Sequence, residues 1–233
     1  MQGTELARIA RARLSADRAA IVHDADAFGT AVADNFSGGY TSLGGEIAVR
    51  ENFKQGSEDY AAIAASVAGA APDVVFFAVH AHEGKLVSQA IRDQGVTVPF
   101  LGTDGLKTSF FLGGGEPDAE AYHTHSGADF NRMPSAAAFR DAYVARFPAD
   151  STYSPEAYDA AMMVVESLRR AAEPTRAGVL EAFRAMDAYE GITGTVRFDE
   201  TGERLGAPVS FYRVEMADGE RVMAYQGVTT DLV

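Results

Sequence analysis

The side chains able to do chemistry stand where short apolar runs end. After the run 19–23 come Asp24, Asp26 and Phe28, after 74–79 come His80, His82 and Glu83, and after 98–101 come Thr103 and Asp104. If these runs are parallel strands, their carboxyl ends are where an open α/β sheet binds ligands. Asp104 lies in LGTDG, where the glycines let backbone approach a ligand closely, and its carboxylate suits an ammonium group. The same residue can equally be a turn residue capping a helix that starts near Leu106. Asp26 can likewise be the N-cap of a helix running through Val32, and Phe28 ordinary core packing.

Two His-x-His pairs, His80/His82 and His123/His125, permit chelation, because residues two apart in an extended chain point the same way. Neither pair comes with a third ligand at a readable spacing, so satisfied polar residues at strand ends are the expectation and no metal is. Phosphate loops and the nucleophile elbow are missing. The clusters Gly38-Gly39, Gly44-Gly45 and Gly113-Gly114-Gly115 fall at expected helix ends or in loops rather than between a strand and a helix. The expectation is a chain without a cofactor that is not an enzyme.

The elements that must position these residues are readable from pattern. Strand, turn and helix alternate through roughly the first 125 residues, with strands at 19–23, 46–50, 74–79 and 98–101. DVVFFAV has the continuous apolar character of a parallel strand covered on both faces. A doubly wound parallel sheet is expected. Ser57, with Glu58 and Asp59, is the expected N-cap of a helix carrying Ala61, Ile63, Ala64 and Val67 up to Gly69, and Gly95 closes a helix beginning near Glu83. Beyond Gly127 three helices follow, over 135–147, 153–172 and 175–186, punctuated by Pro134, Pro148 and Pro174. On the middle one Tyr158, Met162, Val165 and Leu168 form an apolar stripe. Strands return at 194–199, 209–216 and 222–226, the last two joined through Asp218-Gly219.

Composition bounds the partners. With 20 Lys+Arg against 33 Asp+Glu in 233 residues, the formal charge is −13, which disfavours nucleic acid and anionic membrane surfaces. Cysteine is absent, which removes disulfides, zinc-thiolate sites and thiol nucleophiles. The amino terminus reads as a helix rather than a signal peptide, and no apolar run is long enough to span a bilayer.

The ordered segments RAAIVHDADAFGTAVADNF, SEDYAAIAASV, PDVVFFAVHAHEGKLVSQAIRDQG, PFLGTDGL, YSPEAYDAAMMVVESLRRA and GITGTVRFDETGER resemble the branched-chain amino-acid binding proteins of ABC transporters. These are type I periplasmic solute-binding proteins, with two α/β lobes joined by three crossovers. The resemblance implies that residues 1–127 and 190–233 form the C-terminal lobe and that 128–189 are a helical remnant of the N-terminal lobe. Most of that first lobe, which supplies the grip on the ligand carboxylate, and the secretion signal are expected to be missing.

By the same resemblance, Phe28 is the pocket aromatic after the first strand, Asp104 receives the ligand ammonium and Tyr153 closes over the ligand side chain. His80 stands where branched-chain binders tend to have tyrosine, which fits a polar or longer ligand. The implied function is capture of an aliphatic or branched-chain amino acid, or a similar small molecule, and its presentation to a membrane permease, with a periplasmic location for the full-length parent. The same fold also serves as a ligand-sensing receptor domain. The uncovered helical stripe implies contact with the missing first lobe or self-association.

Overall fold

Apolar runs alternating with amphipathic helices assemble here into an open sheet. The computed structural model describes residues 2–106, 120–147, 153–218 and 220–232. Gly113 to Gly115, Pro148 and Gly219 lie outside them. The chain forms two units, Met1–Ser126 with Val209–Val233, and Gly127–Pro208. In chain order the first unit contains α1 (Gln2–Ala12), β1 (Arg18–Asp24), α2 (Ala27–Ser42), β2 (Glu46–Phe53), α3 (Ala61–Ala70), β3 (Val74–Ala78), α4 (Ala81–Asp93), β4 (Phe100–Gly102) and β5 (Ala121–Ser126). The second holds α5 (Ala137–Arg146), α6 (Ser154–Arg170), α7 (Arg176–Arg184), β6 (Tyr189–Gly191) and β7 (Gly194–Val196), after which β8 (Val209–Ala217) and β9 (Glu220–Val228) rejoin the first.

The strand order is β2-β1-β3-β4-β5-β8-β9. The first five strands are parallel, β8 runs antiparallel to β5, and β9 antiparallel to β8. This is the doubly wound sheet expected. Alternation splits the apolar strands between two cores. Ile21 and Phe76 join Leu6, Ile9, Phe36, Tyr40 and Phe211 on one face, whereas Val22 and Phe77 join Tyr60, Val87, Ile91, Phe100 and Leu106 on the other. That double burial is why VVFFA reads as unbroken apolar sequence.

Several local expectations change. Ser57 does not cap α3: its hydroxyl donates to the Lys54 carbonyl at 2.7 Å, and the helix opens at Ala61 after an uncapped Tyr60. The polar cluster closes the preceding turn instead, with Asp59 accepting from the Ala61 N–H. α3 also runs past Gly69 and ends where Ala71 takes a left-handed conformation. The helix expected from Glu83 opens earlier, at Ala81, with His80 as its extended N-cap residue. Asp104 to Leu106 form a short 3-10 turn.

In the second unit, α6 buries Ser154, Pro155, Asp159, Met163 and Ser167, while Tyr158, Val165 and Leu168 are exposed. Asp159 explains why the chain rejoins the sheet unit at Val209 rather than 190. Its buried carboxylate accepts from the N–H groups of Ile192 and Thr193, at 2.9 and 2.8 Å, and from the Thr193 hydroxyl at 2.6 Å. The β6–β7 hairpin is thereby fixed to α6. Arg204 donates to the Thr193 carbonyl and hydroxyl, extending the attachment to the turn bridged between Phe198 and Arg204. No helix among the described residues is long and apolar enough to cross a membrane.

Candidate functional site

In the order β2-β1-β3-β4-β5 the winding reverses between β1 and β3, and their carboxyl ends flank the crevice where such sheets bind ligands. The first turn of α2 is drawn tightly over both ends. A Cβ at Gly29 would lie 2.5 Å from the Asp24 carbonyl oxygen and 2.9 Å from that of Ala78, so only glycine permits the approach. Asp26 caps this helix, accepting from the Gly29 N–H at 2.6 Å, which holds its carboxyl below the usual range. The capping role expected for Asp26 is thus observed.

Asp24, the last residue of β1, has a side chain only 2% exposed. One oxygen, Oδ2, accepts from the His80 N–H at 2.9 Å; the other is buried without a hydrogen-bond partner. Burial pushes this carboxyl up, partly offset by the His80 N–H. The His80 ring extends outward, with Nε2 3.4 Å from Asp26 Oδ2 and 3.8 Å from Asp24 Oδ2. Phe28 stacks beside it with ring centroids 6.4 Å apart. Two of the sequence-predicted site residues, Phe28 and His80, are therefore neighbours, and both present exposed faces.

At the end of β4, one strand over from β3, Thr103 is buried with a hydroxyl that has no hydrogen-bond partner, and Asp104 is half-buried. The Asp104 N–H donates to Gln2 Oε1 at 3.1 Å, and Gln2 Oε1 also accepts from the Thr124 hydroxyl at 2.7 Å. Burial pushes the Asp104 carboxyl up, opposed by its hydrogen bond with the Gln2 side chain and by His125. A desolvated carboxylate at a strand end gains most from an incoming cation. Tyr153 is carried by the second unit, exposed, immediately before α6.

Sequence reasoning nominated Asp24 only as a strand-end residue that could touch ligand, and it missed Gln2 altogether. A residue in the first turn of an N-terminal helix carries no pattern that announces a contact 102 positions away. Of the His-x-His pairs, His80 and His82 are not in extended chain, since His82 lies in the first turn of α4, whereas His123 and His125 are buried within the strand β5.

Residues 1–220 match the family described as periplasmic binding protein. Leu/Ile/Val-binding protein homolog 3 of Brucella melitensis is 26% identical over 206 residues, which cover 88% of this chain and 55% of the relative. A leucine binding protein of Thermotoga maritima has the same fold, with a TM-score of 0.86 at 24% identity over 97% of this chain and 64% of that one. So does a branched-chain amino acid transporter substrate binding protein of Streptococcus pneumoniae solved with isoleucine, with a TM-score of 0.79 at 22% identity and the same coverages of 97% and 64%. This chain spans about half the length of the curated relatives it matches. With the family match running through both units and the sheet order that creates the crevice, the chain belongs to the periplasmic binding protein family.

Proposed function

We propose that this chain provides the ligand-contacting lobe of an ABC-transporter solute receptor that captures a branched-chain or aliphatic amino acid in the periplasm and presents it to a membrane permease. Residues of the first unit, Met1–Ser126 with Val209–Val233, correspond to the C-terminal lobe, and the helices of Gly127–Pro208 to part of the N-terminal lobe. The observation that carries this reading is the half-buried Asp104 carboxylate at a strand end of the sheet whose switch point holds Phe28 and His80. The Leu/Ile/Val-binding relatives supply the substrate class.

Asp104 takes the ligand ammonium through a charge-assisted hydrogen bond. Phe28 offers an apolar ring to the ligand side chain and His80 a polar edge. No bond is made or broken. The uncovered face of α6 takes up the rest of the N-terminal lobe or a second copy.

Isothermal titration of leucine, isoleucine, valine, threonine and glutamate tests the reading, against this chain and against the chain extended by the N-terminal part of the Brucella melitensis relative. The expected result is saturable binding of an aliphatic amino acid by the extended protein, weakened about tenfold or more by Asp104→Ala. Unchanged affinity in that variant removes the ammonium role, and binding of none of the five amino acids removes the substrate class.

A further inference from the structure

Asp24, Asp26 and His80 bring three potential ligand atoms within 4.8 Å of one another, from two strand ends and one helix cap. In a tetrahedral site with bonds of about 2.0–2.2 Å, neighbouring ligand atoms lie about 3.3–3.6 Å apart. The His80 Nε2 distances of 3.4 Å to Asp26 Oδ2 and 3.8 Å to Asp24 Oδ2 lie within a few tenths of an ångström of that spacing, and the three ligand atoms all fall within 4.8 Å of one another. The independent observation is the second oxygen of Asp24, buried and without a hydrogen-bond partner on a side chain 2% exposed. A buried carboxylate short of a donor is costly to ionise, and a cation bound to the group offsets that cost.

We propose that these three residues form a site for one divalent transition metal ion, zinc or a metal of similar softness. An imidazole with two carboxylates suits zinc, cobalt or nickel better than magnesium or calcium, which prefer all-oxygen sets. The supporting contacts are present: Asp24 Oδ2 is oriented by the His80 N–H and Asp26 Oδ1 by the Gly29 N–H, leaving Asp26 Oδ2 facing the imidazole. His80 and Asp26 have side chains 48% and 42% exposed, so the ion has an entry path and an open coordination position toward solvent. The ion joins the ends of β1 and β3 across the switch point. This inference does not rest on the amino-acid reading; it shares His80 with it but not Asp104.

The test is titration of zinc sulfate into the tag-free full chain after chelator treatment, by calorimetry and by competition with a chromogenic chelator. His80→Ala removes the nitrogen ligand; Asp26→Ser removes a carboxylate while leaving a hydroxyl able to cap α2. The expected result is saturable micromolar binding, weakened about tenfold or more by either substitution and unchanged by His82→Ala. Circular dichroism melting curves establish that each variant is folded, and cobalt reports four-coordination through its visible absorption. Absence of saturable binding, or zinc affinity unaltered in folded His80→Ala, overturns the proposal.

Discussion

Asp104 is costly to the unliganded fold because burial disfavours its charge, and among the described residues the Gln2 side chain, its own turn and His125 oppose that cost. Its carboxyl is raised above 3.8, so the folded state holds a proton that the unfolded state releases, and stability falls as pH climbs from about 3.8 through the folded pKa. Asp104→Asn keeps the planar shape and size of the side chain and removes the charge. It is therefore expected to raise the melting temperature at pH 7 and to leave it unchanged near pH 3, while weakening amino-acid binding. His123 has the opposite sign. Fully buried in β5, its imidazole is pushed down to about 3 from 6.5. The unfolded chain takes up a proton below 6.5 that the folded chain refuses, so stability is complete above that pH and declines toward 3 by up to about 1.4 kcal/mol per pH unit. Urea unfolding at pH 7 and 5 should show a loss that His123→Gln reduces; an equal loss in that variant means that His123 is not the group titrating. Of these two residues, Asp104 was legible from its place in LGTDG. The burial of His123 was not, because a histidine in an alternating strand reads the same at an edge as in a covered interior.

At the scale of elements, the four early strands and their helices were legible because each is an apolar run bounded by turn residues, and double burial left β3 no polar position. The caps were legible only in part. Asp26 caps α2 as its spacing implies, whereas Ser57 closes a turn, since short polar side chains serve either end of a loop equally well. The unit boundary was illegible for a related reason. Nothing in the sequence of α6 marks Asp159 as facing inward, yet it takes three hydrogen bonds from the β6–β7 turn and binds residues 192–193 to the helical unit. Asp159→Ala leaves the half-buried Ile192 N–H and the buried Thr193 N–H and hydroxyl without acceptors and should destabilise that unit by on the order of 3 kcal/mol. Amide hydrogen exchange checks it: faster exchange across α6, β6 and β7, with β1 and β3 unaffected, is the expected pattern, and uniform loss of protection would mean that the two units unfold together.

At the scale of the molecule, an apolar helical face competes with a large negative charge. Tyr158, Val164, Val165 and Leu168 on α6 are 38–49% exposed, and α5 and α7 add Val144 and Leu180. Such a face favours burial against another surface, and two copies of this chain can bury it mutually. Each copy also carries a formal charge of −13, and that repulsion opposes pairing at low salt. Screening shortens the reach of the repulsion to about 8 Å at physiological ionic strength without weakening apolar contact. Self-association should therefore strengthen as sodium chloride is raised, the reverse of what an interface built on ion pairs would do. Light scattering coupled to size-exclusion chromatography should show a mass above 24.7 kDa at high protein concentration and high salt. Val165→Lys with Leu168→Glu should return the chain to a monomer while its sheet unit melts as before, because neither side chain belongs to the cores around β1 and β3. A wild-type chain that stays monomeric throughout would show that the exposed stripe is too small to hold two copies together against their charge.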